Sequence, residues 1–240
     1  MIEALFTIDG IVSLTTLILL EIVLGIDNII FIAIICGYLP KVDQARARTI
    51  GLAMALVMRV ILLMTISWIA QLKEPLIYIS RFGVSGRDII LFGGGVFLIF
   101  KTVMEIYHKL KGQKEGQKVV EKKLTVSQAI VQIMIIDMVF SFDSILTAVG
   151  LSNNLFIMIT AVVVSMIVML FFAKYVSDFV NNYPTIKMLA LVFLVCIGVL
   201  LVIESLHQHI DKSYVYFAML FSLIVELLNI RLRKVKHQVY

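Results

Sequence analysis

The sequence predicts an all-α fold, a polytopic membrane helix bundle of about seven spans, on three observations. Of 240 residues, 61% are apolar and only 15% charged, too little polar surface to cover a water-soluble globule of this size. Mean hydropathy is +1.03. The apolar residues gather into runs near the roughly 20 residues that one crossing needs, and the runs do not alternate as barrel strands would. Open sheets cannot satisfy their backbone groups in lipid, so the runs are expected as helices. No room is left for a soluble catalytic domain, and no enzymatic activity is expected.

The first span, Ile11 to Cys36, follows a short segment with Glu3 and Asp9 and no basic residue. It lacks a small-residue cleavage site, so an uncleaved span is expected rather than a signal peptide. The second, Ile50 to Leu72, carries Arg59 near its middle. The third, Ile89 to Tyr107, contains Gly93, Gly94 and Gly95, read as a close-packing surface for a neighbouring helix. Residues 109–125, rich in Lys, Gln, Glu and Gly, are expected as a cytoplasmic linker. Spans follow at Val126 to Gly150, Leu155 to Val176 and Thr185 to Leu206. Glu204, His207, His209 and Asp211 cluster near the outer ends of the sixth and seventh spans, read as interfacially solvated side chains or, alternatively, as a metal-collecting exit mouth. A seventh span, Tyr214 to Ile230, completes a single membrane domain over residues 1–240.

With the N-terminus outside, the basic residues of 41–48, 109–123 and 231–236, together with Lys174 and Lys187, fall on the cytoplasmic side. Only Lys73, Arg81, Arg87 and Lys212 stay outside, so the positive-inside rule predicts N-out, C-in. Topology accounts for the net charge of +5, and no nucleic-acid partner is expected. Cys36 and Cys196 form no closely spaced thiol pair.

Glu21-Ile-Val-Leu-Gly-Ile-Asp27-Asn28 in the first span matches Asp137-Met-Val-Phe-Ser-Phe-Asp143-Ser144 in the fourth, at a constant offset of 116 residues. Each copy opens a group of three spans, and an odd number inverts the second group in the bilayer. This predicts an inverted 3+3 repeat, residues 11–108 and 126–206, plus an extra helix at 214–230, with a binding site near the midplane.

An acid at a span centre costs about 2.5 to 3.5 kcal/mol, so four carry a penalty on the order of 10 kcal/mol unless compensated. Glu21, Asp27, Asp137 and Asp143, with Asn28 and Ser144 beside them, form an oxygen-rich set suited to Mn²⁺, Mg²⁺ or Ca²⁺. Arg59 has two readings: it compensates this acidic centre or forms an occluding salt bridge when the cation is absent, or it snorkels or pairs structurally. Residues six apart lie about 120° apart on a regular helix, so Glu21 and Asp27 converge fully only if the helix unwinds. Gly25 in the first copy and Ser141 in the second are the expected breaks. Methionines show no relay spacing and are read as packing.

On these residues the chain resembles the TerC family of bacterial integral membrane proteins. The likeness rests on Glu21 to Asn28, Met58-Arg59, Gly94-Gly95 to Lys101 with Glu105, and Asp137 to Ser144. It continues through Pro184 to Ala190, Ile197 to Glu204, Tyr216 to Met219 and Glu226 to Asn229. The resemblance implies a bacterial cytoplasmic (inner) membrane protein of the tellurium-resistance and manganese-exporter family. It implies Mn²⁺ efflux, with the four acids in the family's intramembrane positions. The chain departs from the family in the stretch His207 to Lys212, where related sequences tend to carry a Pro near Asp211.

Expelling a dication against an inside-negative potential costs about 4.6 kcal/mol per 100 mV. No GxxxxGK[ST] phosphate loop is present to supply that energy. Closely spaced carboxylates cannot all stay ionised, so protons can replace the metal. The expected mechanism is proton-coupled alternating access, the two repeats rocking about the acids. The alternatives are an accessory protein that delivers metal to secreted enzymes or a secretion machinery, as a homo-oligomer or alone, and an intramembrane aspartyl protease. The last needs two acids sharing a proton, and the chain lacks its GxGD signature.

Overall fold

The computed structural model describes residues 7–65, 75–79, 82–115, 124–152, 154–208, 210–211 and 213–238. Among them are seven helices: α1 Ile8–Cys36, α2 Lys41–Met64, α3 Gly86–Glu115, α4 Val126–Leu151, α5 Leu155–Asn182, α6 Pro184–Ser205 and α7 Ser213–Gln238. Six are long and apolar enough to cross a membrane, and α4 contributes the apolar stretch Val126–Phe142. Local chemistry sets several ends. Thr7 caps α1 by accepting the Gly10 amide, and Thr125 with Gln128 makes a reciprocal capping box at α4. α6 starts on Pro184, whose missing amide hydrogen costs nothing in a first turn.

The connections between spans differ from the sequence expectation. A short antiparallel pair, β1 Pro75–Ile79 and β2 Phe82–Ser85, joins Tyr78 to Gly83 and Ile79 to Phe82 between the second and third spans. Its Ile, Tyr, Val and Phe content favours strand, a signal too short to register beside the spans. In addition, α3 continues to Glu115, so the first residues of the expected 109–125 linker are helical. Hydropathy marks the length in lipid, whereas Lys, Glu and Gln extend a helix readily beyond it. Residues 116–123 lie outside the described residues.

The chain forms two compact units that cut across the sequence repeat. One contains α1, α2, the hairpin, α4 and nearly all of α5. Its centre is α1, buried along Leu17, Glu21, Gly25 and from Asp27 to Cys36. The other contains nearly all of α3 with α6 and α7. There α3 meets α6 backbone to backbone: a Cβ on Gly95 would lie 2.7 Å from the Gly198 carbonyl, and one on Gly198 2.7 Å from Ile99 Cγ1. Of the expected glycine surface, Gly95 makes this contact, while a Cβ on Gly93 would meet nothing within 4 Å. Gly198→Leu is therefore expected to destabilise the protein by about 2 kcal/mol. Thermal unfolding in detergent measures it, with Gly93→Ala as the near-neutral control.

The turn after α6 closes on the start of α3 within the same unit. His207 has a left-handed backbone (φ 60°), and its Nε2 lies 2.9 Å from Asp88 Oδ2. Of the cluster beyond the sixth span, His207 is thus engaged with α3, and His209 lies outside the described residues.

Candidate metal centre

On a regular helix, residues four and seven positions apart return to within roughly 40° and 20° of the same bearing. α1 therefore presents Glu21, Gly25 and Asn28 as one buried stripe. α4 repeats the pattern with Asp137, Ser141 and Ser144, all buried. These are the same three positions in the two sequence copies.

Arg59, on α2 and only 1% exposed, ties the stripes together. Its Nη1 donates to Glu21 Oε2 at 2.6 Å, its Nη2 to Asp137 Oδ1 at 3.2 Å and its Nε to Ser141 Oγ at 2.8 Å. Ser141 Oγ in turn donates to Asp137 Oδ2 at 3.0 Å, and Asn28 Nδ2 donates to Asp137 Oδ1 at 3.1 Å. Ser144 stands beside the Glu21 carboxyl and donates to the Ser141 carbonyl at 3.3 Å. One guanidinium faces two carboxylates, so the cluster carries one formal negative charge in excess when both acids are ionised. Arginine cannot relieve this by titrating.

Two oxygens of the cluster are left over. Glu21 Oε1 and Asn28 Oδ1 are buried and have no hydrogen-bond partner among the described residues. A buried acceptor left unpaired costs about 1–3 kcal/mol, more when charged. Native proteins rarely carry such groups without a role.

The expected helix breaks are not present. α1 runs unbroken through Gly25 and α4 through Ser141. Convergence comes instead from two helices facing each other and from the seven-residue spacing, which a straight helix already aligns. Gly25 serves packing, because a Cβ there would overlap the sulfur of Met169 on α5. Ser141 is used by Arg59 and Asp137. Asp27 is also buried on α1, but roughly 100° round the helix from Asn28. Asp143 lies on α4 with its side chain outside the described residues. Among the described residues, no three His, Cys, Asp or Glu side chains are grouped to hold a metal. The donors brought together are Glu21, Asp137, Asn28, Ser141 and Ser144, with Arg59 between them. Sequence reasoning missed the hydrogen-bonding role of Ser141, which its place at the offset of Gly25, four residues after Asp137, could have suggested.

Comparison with known proteins extends over nearly the whole chain. Residues 6–239 match the family described as "Integral membrane protein TerC family". The chain is 50% identical over 218 residues to the "UPF0053 inner membrane protein YgdQ" of Escherichia coli K12, covering 91% of each chain. It is 47% identical over 223 residues to a "UPF0053 protein" of Haemophilus influenzae, covering 93% of this chain and 94% of that one. Against the "UPF0053 inner membrane protein YoaE" of E. coli K12, identity is 44% over 228 residues, spanning 94% of this chain and 44% of the relative. No solved structure matches. Apolar helices of spanning length and inner-membrane relatives together mark a multi-pass protein of the bacterial inner membrane. The chain belongs to the TerC family of integral membrane proteins.

Proposed function

We propose that the protein exports divalent metal cations, Mn²⁺ foremost, through the site at Glu21 and Asp137. The carrying observation is a buried carboxylate pair, one member from each repeat, held by the single guanidinium of Arg59 beside the orphaned oxygens Glu21 Oε1 and Asn28 Oδ1. Arg59 stands in the place of the ion. When it swings away, the two carboxylates match the charge of a dication, and Asn28 and Ser144 add neutral oxygens of the hard type that Mn²⁺, Mg²⁺ and Ca²⁺ accept. Asp27 and Asp143 supply further carboxylates as proton acceptors or ligands on the path.

Glu21, Arg59 and Asp137 all lie in one compact unit. Access therefore alternates by exchange of Arg59 for the ion inside that unit, with protons from the outer side discharging the metal. The test is flux in liposomes containing only this protein, with Mn²⁺, Mg²⁺ and Ca²⁺ compared. Mn²⁺ should move, faster with an inward proton gradient, and Asp27→Asn and Asp143→Asn should slow it. A rate indifferent to the gradient removes the coupling. Absence of flux for every cation leaves the protein as a metal-delivery accessory.

A further inference from the structure

We propose that Met169 is a specificity-determining ligand of this centre, a thioether that favours transition-series dications over Mg²⁺ and Ca²⁺. The inference rests on the metal-site reading above. Met169 lies on α5 and is 2% exposed. Its sulfur occupies the notch left by Gly25, where any side chain would displace it. Gly25 sits between Glu21 and Asn28 on the same stripe of α1, one turn from each, and those two residues carry the unpartnered oxygens. The sulfur thus lies against α1 at the position between the two residues whose oxygens lack partners.

The second repeat makes the contrast. At the position matching Gly25 it has Ser141, whose hydroxyl bonds Arg59 and Asp137 and leaves no such notch. One half of the centre is therefore closed by an internal hydroxyl and the other by a thioether. Packing alone would be met by leucine, a volume-conserving swap that usually costs less than about 1.5 kcal/mol. The difference between methionine and leucine here is the sulfur lone pair, which hard Mg²⁺ and Ca²⁺ barely use and softer ions do.

The experiment measures uptake of Cd²⁺, Mn²⁺, Mg²⁺ and Ca²⁺ into liposomes holding wild type, Met169→Leu or Gly25→Ala, the last pushing the sulfur aside without removing it. Both variants should lower Cd²⁺ affinity about tenfold and Mn²⁺ affinity several-fold, with Mg²⁺ and Ca²⁺ within about twofold of wild type. A second readout is independent of transport. Selenomethionine-labelled protein loaded with Cd²⁺ should show a Cd–Se path in X-ray absorption that Met169→Leu abolishes. Equal losses for all four ions, or unchanged ratios with no Cd–Se path, would overturn the role of Met169 while leaving the metal site standing. Failure of wild type to bind or move any of the four ions would instead remove the site itself.

Discussion

Arg59→Met is expected to lower the stability of the metal-free protein by about 3–5 kcal/mol, because it leaves Glu21 and Asp137 facing each other in a dry interior with no cation. The side-chain stem is kept, so lost packing contributes little. The guanidinium engages three acceptors, Glu21, Asp137 and Ser141, and all three lose a donor at once. In detergent this should appear as a melting temperature lower by about 10 °C. The sign of the metal response separates a displaceable cation from a plain structural ion pair. If Arg59 competes with the ion, Mn²⁺ at a hundredfold excess over the variant's Kd should stabilise Arg59→Met by about 2.7 kcal/mol, and wild type at the same concentration by less. A variant that melts like wild type, or that gains nothing from any dication, would end the exchange mechanism.

Asp137→Asn should cost at least about 30-fold in Mn²⁺ affinity and flux, since loss of one member of a buried hydrogen-bonded charge pair is typically worth about 2–5 kcal/mol. The reason is specific to its surroundings. Asp137 accepts from Arg59, Asn28 and Ser141 simultaneously. An asparagine offers an NH₂ in place of one of the two acceptor oxygens, so either Arg59 and Asn28 or Ser141 loses the acceptor it now uses. Ser141→Ala keeps the charge and removes one donor, and should cost only about 1–3 kcal/mol. Combining Arg59→Met with Asp137→Asn tests the linkage. The double variant should be more stable than the sum of the single losses predicts, because without Asp137 only Glu21 stays charged and the repulsion between two unpaired carboxylates is gone. Strict additivity would show that the two residues act apart.

The helical architecture was legible because hydropathy and length act locally: a run such as Leu155 to Val176 announces a crossing by itself, and α5 begins at Leu155. Boundaries outside lipid were not, as α3 shows by continuing to Glu115 on a polar sequence that hydropathy ignores. The hairpin of Pro75–Ile79 with Phe82–Ser85 escaped for a related reason, its pairing being nonlocal and brief. The duplicated acids stood out through their repeat offset. How they meet did not, because spacing along one helix says nothing of the helix it faces.

By itself, the sequence determined that the protein lives in the membrane as helices and that acids sit within two spans in matched copies. Both follow from the free energy of placing each residue in lipid. Tertiary structure alone decided which members of those copies share a centre. Glu21 reaches Asp137 through Arg59, Asn28 and Ser141 join in place of a broken helix, and the sulfur of Met169 fills the Gly25 notch. Those choices depend on helix faces and on which helices lie side by side, quantities that arise only when separate segments pack.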